Sequence, residues 1–356
     1  MAVMQTESAQ LASQLDGRVM IIPDLGRMLS HWPSGKNIHA PDIEVLINGL
    51  LNKNGASPQD IANITEANPT LLASSLWPNV SKGKLGTLTL MVLWQGRLDD
   101  YIEALEYESQ AKAKQFRSNA KEYIAQYLQL SEGPTEPAMT SVISDFQPVA
   151  KMICQQYDKD QRRKLKASIF EYIDSTVQEM RYIDSGEVPT DLKYDTLRKK
   201  TAGTGPLCAL AEFASGLEWP STVFNSHPFK MMLQSVAIVV GLTNDLLSLK
   251  KELREGRTLS AVPVRFWNNP DGDLEAVVEE VVDDIEKAVR QFDVCERRLI
   301  NQSQTDGDTT RQIAATLKTI CTGNLTWSLA SKRYSVGEPA SDGSLRQELR
   351  VGKQSH

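Results

Sequence analysis

The chain has 356 residues, of which 41% are hydrophobic and 24% charged, with a formal net charge of −6. That length allows one large domain or two smaller ones, and the composition is that of an ordinary globular protein. The acidic balance, with no Lys/Arg block, argues against nucleic acid as the main partner.

The chain opens with a polar stretch to about Asp16, which predicts a flexible segment over residues 1–16. It shows no charged start followed by a long apolar core and a cleavage site. Cys154, Cys208, Cys295 and Cys321 have no paired spacing, so they read as reduced thiols in a cytoplasmic protein. Next come Ile21-Ile22-Pro23-Asp24-Leu25, His31-Trp32-Pro33 and Asn37-Ile38-His39-Ala40-Pro41. Neither His31 nor His39 has a second metal ligand at helical spacing, so both read as surface or capping residues.

From Pro41 onward, apolar-periodic segments alternate with short loops containing Pro, Gly or Asn. Breaks are expected near 52–58, 68–69, 78–86, 131–137, 186–189, 203–206, 219–228, 268–272 and 302–308. Few stretches alternate with period two, so the fold class is all-α, with ten or more helices in one domain over 17–335. The polar ending predicts a disordered tail over 336–356. The longest apolar run, Met231–Thr243, is too short to span a bilayer and is interrupted by Gln234 and Ser235, so no stable membrane insertion is expected.

The segment from Leu88 to Ser109 starts apolar and carries Asp99-Asp100-Tyr101-Ile102-Glu103. A four-residue step turns a helix by only about 40°, so Asp99 and Glu103 share a face, and Asp100 is displaced by about 100°. Such clustered carboxylates repel one another unless a cation neutralises them. Asp283-Asp284 is a different case, because it lies in a strongly amphipathic run that reads as a solvated surface helix.

Farther on, Gly203, Gly205 and Pro206 predict a break just after Tyr194-Asp195-Thr196-Leu197-Arg198-Lys199-Lys200-Thr201-Ala202. A break frees backbone carbonyls, and the planar guanidinium of Arg198 can grip phosphate oxygens at two points. Pro228 suits a first helical turn and Gly256 a position past the last one, which predicts one long helix between them. Asn244, Ser248 and Glu252 then form a polar stripe of hard oxygen donors, the set Mg²⁺ prefers. Lys251 is about −20° from Asn244 and shares the stripe, whereas Lys250 points away. Metal ligands beside a cation suggest a bound polyanion, and the stripe reads as a Mg²⁺–diphosphate site. The last patterned stretch runs from Gly323 through Trp327 to Arg333-Tyr334.

Asn244-Asp245-x-x-Ser248-x-x-Lys251-Glu252 resembles the second metal-binding motif of class I terpene synthases, N-D-x-x-S-x-x-K-E. Asp99-Asp100-x-x-Glu103 resembles their D-D-x-x-D/E motif. Arg198 with the break after it resembles the family's diphosphate-sensing arginine, and the final Arg333-Tyr334 resembles the microbial enzymes' Arg-Tyr pair. The Pro-Asp, Trp and Asn-x-His arrangement near the N-terminus is a looser match. The resemblance implies a single helical bundle of the class I terpenoid synthase type around a central cavity. It implies Mg²⁺, three ions per active site, held by Asp99, Asp100 and Glu103 and by Asn244, Ser248 and Glu252. Arg198, Lys251, Arg333 and Tyr334 would bind the substrate diphosphate, with Thr201 as linker and the Ala202 carbonyl as effector. Trp327, with Trp94 as second candidate, would face the carbocation.

The implied activity is ionisation of a prenyl diphosphate and cyclisation of the cation. A single-domain chain of this size most resembles the microbial sesquiterpene synthases, which implies farnesyl diphosphate, and geranyl or geranylgeranyl diphosphate would use the same motifs. A homodimer is compatible with this. There is no D-x-D-D motif for protonation-initiated cyclisation. A chain-elongating prenyltransferase would carry a second aspartate-rich motif where Asn244, Ser248 and Glu252 stand, and a helical interaction protein would not need four matches in order.

Overall fold

A computed structural model of the chain describes residues 6–53, 57–132, 138, 140–269, 272–302 and 307–352. Its centre is the helix predicted between Pro228 and Gly256, running His227–Arg254. Ser226 caps it by accepting from the Phe229 N–H at 3.3 Å, and Gly256 follows its end at φ +77°. Phe229, Met232, Val236, Val239, Leu246, Leu249 and Leu253 are buried on it. By length and composition this helix could cross a membrane, but 78% of its most apolar stretch is buried inside the protein. It is the core helix of the bundle.

In chain order the elements are α1 (Glu7–Leu15), β1 (Val19–Ile22), α2 (Leu25–Leu29), α3 (Ala40–Lys53), α4 (Pro58–Ala67) and α5 (Pro69–Leu76). The long α6 (Lys82–Glu108) and α7 (Gln110–Tyr127) follow, then α8 (Ser141–Ser144), α9 (Gln147–Gln156) and the long α10 (Lys159–Ser185). Next are α11 (Asp191–Thr201), α12 (Thr204–Ala209), α13 (Ala211–Ser215), α14 (Ser221–Phe224) and the central α15. The chain closes with α16 (Ala261–Asn268), α17 (Leu274–Gln302), α18 (Gly307–Ala330) and β2 (Leu345–Glu348).

Around α15 pack α17, α18, α11, α12 and α16, and α6, α10 and α5 complete the bundle. Helix α17 turns Val277, Val281, Ile285, Ala288 and Phe292 inward and Asp283 outward, the expected amphipathic pattern. Asp284 departs from it by pairing with the buried Arg265 of α16 at 2.9 Å. Helices α18 and α5 approach so closely at Gly323 that a Cβ there would lie 2.4 Å from the Ser75 carbonyl oxygen.

The break at Asn68 is sharp, because this one residue at φ 46° ends α4 and caps α5. The break expected over 78–86 stops at Ser81, and Gly86 is buried inside α6. The breaks at 52–58, 131–137, 268–272 and 302–308 lie partly outside the described residues.

Both chain ends correct the sequence reading. The segment 1–16 was expected to be flexible, yet α1 is capped by Thr6 and buries Leu11, Ala12 and Leu15; residues 1–5 lie outside the described set. The tail 336–356 was expected to be disordered, yet β2 pairs antiparallel with β1, Val19 opposite Glu348 and Ile22 opposite Leu345. Leu345, Gln347 and Leu349 are buried. A four-residue strand is too short to register as period two, and its partner lies at the opposite end of the chain. Residues 353–356 are outside the described set.

Candidate active site

Helix α6 is fixed by Leu85, Leu88, Met91, Trp94, Leu98 and Ile102, all buried. That phase aims Gln95, Asp99 and Glu103, each four residues apart, at a cavity of about 390 Å³. Asp99 accepts from the Tyr172 hydroxyl of α10 at 2.7 Å. Burial raises its carboxyl above the usual carboxylate range, against the pull of that hydrogen bond. Glu103 is ion-paired with Arg257, from the turn after α15. Asp100 sits at the rim, with its carboxylate 3.8 Å from Arg333.

Helix α15 supplies the opposite wall. Asn244, Ser248, Lys251 and Glu252 all line the cavity, and Lys250 does not. The Ser248 hydroxyl lies 2.6 Å from Glu252 Oε1, and Lys251 Nζ lies 2.7 Å from Glu255. Burial raises the Glu252 carboxyl, and the Asp245 charge adds to the effect. The Asn244 side chain is held at both ends. Its Oδ1 accepts from Arg198 Nη2 at 2.6 Å, and its Nδ2 donates to the Tyr334 hydroxyl oxygen at 2.7 Å.

Arg198 stands at the end of α11, as read from the sequence, and donates from Nε to Asp245 Oδ1 at 2.8 Å. Asp245 is only 2% exposed and also accepts from Tyr194 OH at 2.6 Å and the Ala261 N–H at 3.2 Å. Burial opposes charge on Arg198, but Asp245, Tyr194, Glu179 and Glu252 outweigh it and keep the guanidinium protonated. The predicted break follows. Thr201 ends α11, Gly203 turns at φ +69°, and Thr204 starts α12. Pro206, four residues after Ala202, has no N–H to offer the Ala202 carbonyl. Thr201 and Ala202 both line the cavity.

The end of α18 completes the site. Trp327 lines the cavity, donates from Nε1 to the Ala67 carbonyl at 2.7 Å and meets Tyr334 edge-on, ring centres 5.3 Å apart. Burial pushes the Tyr334 hydroxyl up to about 12. Trp94 is not in the wall; it is 2% exposed, donates to the Val142 carbonyl at 2.9 Å and packs on Phe146, so it is a core residue.

The cavity therefore has a polar end, where both motifs meet Arg198, Lys251, Arg333 and Tyr334. Its other walls carry Leu72, Leu76, Val92, Leu93, Leu207, Val240 and Ile320. His31 is a surface residue 2.9 Å from Asp293, and Asp24 caps α2 through the Arg27 N–H, so the N-terminal matches lie outside the site.

Five site residues escaped the sequence reading. Asp245 and Arg257 fall within or just after the second motif but point to partners far along the chain. Tyr172 and Glu179 are seven apart on α10 and Gln95 is one turn before Asp99, so helical phase from a known site residue could have found Gln95. Burial, followed by the Asp99 charge, raises the Glu179 carboxyl to about 8.

Among the described residues, no group of three His, Cys, Asp or Glu side chains is gathered closely enough to hold an ion. The donors are instead mixed and divided between two walls. Asp99, Asp100, Glu103, Asn244, Ser248 and Glu252 all offer oxygen, and burial raises the carboxyls of Asp99, Glu103 and Glu252. A hard divalent cation would supply the charge these buried groups lack, so the residues fit one.

Comparison with known proteins agrees with this chemistry. Residues 91–291, more than half of the chain, match the model of terpene synthase family 2, C-terminal metal binding. The sesquiterpene cyclase hepA of Aspergillus oryzae is 25% identical over 346 residues, covering 93% of each chain. The (−)-delta-cadinene synthase of Streptomyces clavuligerus is 26% identical over 80% of this chain and 86% of its own. In fold, the linalool/nerolidol synthase of Streptomyces clavuligerus, solved with 2-fluorogeranyl diphosphate, superposes with a TM-score of 0.72 at 16% identity, over 85% of this chain and 98% of that one. With a metal-binding family match spanning α6 to α17 and oxygen donors from both walls facing one cavity, the chain belongs to the class I terpene synthases.

Proposed function

We propose that the protein ionises farnesyl diphosphate and cyclises the resulting cation to a sesquiterpene. The observation that carries this reading is the division of one cavity into a charged end and an apolar body. Its volume of about 390 Å³ falls within the range of small-molecule sites, roughly 300–1,000 Å³. The similarity to a sesquiterpene cyclase along nearly the whole chain supports the C15 substrate.

Mg²⁺, three ions by analogy with the family, would be held by Asp99, Asp100, Asn244, Ser248 and Glu252. When bound it supplies the positive charge that stabilises the departing diphosphate. Glu103 enters that set only by leaving Arg257. Arg198, Lys251, Arg333 and Tyr334 direct N–H and O–H groups at the diphosphate and fix its orientation. The apolar walls exclude water, which would otherwise quench an allylic cation. Trp327 presents a ring that attracts the cation without reacting with it. The Ala202 carbonyl, without a helical donor, adds its dipole at the break. The four free cysteines, Cys154, Cys208, Cys295 and Cys321, support a cytoplasmic location, and a homodimer is compatible with the reading.

The test is Glu252→Gln, which keeps the shape and removes one charge. Diphosphate release from farnesyl diphosphate should fall sharply and need more Mg²⁺. Turnover equal to the parent's at limiting Mg²⁺ would overturn the metal assignment.

A further inference from the structure

Gln95 is a polar side chain in a mostly apolar stretch of cavity wall, between Val92, Leu93 and the acidic motif. Its Nε2 donates to the Gly203 carbonyl at 2.9 Å, across 108 residues of sequence. The orientation of the amide is determined by that contact, because its oxygen would repel the carbonyl. Gly203 makes the approach possible. A Cβ there would lie 2.3 Å from Gln95 Nε2, and its φ of +69° already suits glycine.

Two polar atoms around this contact have no partner. Gln95 Oε1 and Thr201 Oγ1 are both buried without a hydrogen bond. One is an acceptor and the other can donate. They sit on either side of the same break, since Thr201 is two residues before the glycine that Gln95 holds. Burying unsatisfied groups is unfavourable and calls for an explanation.

We propose that Gln95 is a positioning residue that couples the acidic motif to the helix break, and that in the diphosphate-bound state the Thr201 hydroxyl donates to Gln95 Oε1. Gln95 is one helical turn before Asp99 on a single rigid helix, so a displacement of Asp99 carries Gln95 with it. Through Gly203, Gln95 orients the Ala202 carbonyl immediately before it. Pairing Thr201 with Gln95 Oε1 satisfies both orphan atoms at once and favours the bound arrangement over the free one. The proposal rests on the terpene synthase reading, because it takes diphosphate as the ligand that moves the break.

Thr201→Val removes the hydroxyl without changing the shape, and Gln95→Leu removes both amide atoms. Each variant, and the double variant, is titrated by calorimetry with inorganic diphosphate at saturating Mg²⁺ and melted without ligand. Thr201→Val should bind about 5–10-fold more weakly, the scale of one lost hydrogen bond, while its ligand-free melting temperature stays level or rises because an orphan group is gone. The double variant should bind no more weakly than Gln95→Leu alone, because both changes remove one interaction. Gln95→Met serves the same cycle if Gln95→Leu fails to fold. Parent-like affinity in Thr201→Val, a melting temperature that falls in step with its affinity, or losses that multiply in the double variant would each overturn the proposal. If the parent neither binds Mg²⁺–diphosphate nor releases it from farnesyl diphosphate, the functional reading fails instead.

Discussion

Asp245→Asn tests the electrostatic centre of the site. Asp245 is 2% exposed and holds Arg198, Tyr194 and the Ala261 N–H with its two carboxylate oxygens. Asparagine keeps the shape and one acceptor, which can remain on Arg198 Nε. Its NH₂ group then faces the Ala261 N–H, two donors with nothing between them, and the buried guanidinium loses its opposite charge. Breaking a buried ion pair by removing one partner costs about 3–5 kcal/mol. For a chain of 356 residues that corresponds to a fall of roughly 4–7 °C in melting temperature. The control is Asp100→Asn, whose carboxylate is 63% exposed and 3.8 Å from Arg333; it should change stability by no more than about 0.5 kcal/mol. Differential scanning calorimetry of the three proteins without ligand is the assay. Equal melting temperatures for Asp245→Asn and the parent would refute the view that this pair anchors α11 to α15.

Lys251→Ala should weaken diphosphate binding, whereas Lys250→Ala should be close to neutral, because only Lys251 lines the cavity; isothermal titration with diphosphate and Mg²⁺ compares them. Trp327→Leu should keep much of its diphosphate release but shift products towards early-quenched or linear terpenes, since a desolvated cation–π contact of about 2 kcal/mol redirects branching more than tenfold. An unchanged product profile by mass spectrometry would make Trp327 a packing residue. Glu179 gives a pH dependence. Its carboxyl is raised from 4.5 to about 8, so the fold favours the protonated form. Its contribution to stability is complete below about pH 4.5 and is lost as pH rises through about 8. Without Mg²⁺, melting temperature should therefore decline across that window, and Glu179→Gln should decline less.

The sequence revealed most where one rigid helix carried the information. The stripe of Asn244, Ser248, Lys251 and Glu252, and the shared face of Asp99 and Glu103, follow from helical phase alone, and the cavity lining has the same grouping. The break after Thr201 was legible because Gly203 and Pro206 act locally. Pairings between distant segments were not legible. Glu103 meets Arg257, and Arg198 meets Asp245, through contacts that no local pattern encodes. Glu179 is one of many charges on α10, and only the packing of that helix shows which of them faces inward. The terminal strands escaped for a related reason, because Val19 and Glu348 are brought together only by the completed bundle.

The most direct measurement is incubation of the purified protein with farnesyl diphosphate and Mg²⁺, with and without isopentenyl diphosphate. Geranyl and geranylgeranyl diphosphate are run in parallel, with products identified by mass spectrometry and diphosphate counted. The account predicts a C15 cyclic terpene, one diphosphate released per product, dependence on Mg²⁺ and no change when isopentenyl diphosphate is added. A lengthened prenyl chain, or no Mg²⁺-dependent release from any of the three substrates, would contradict it.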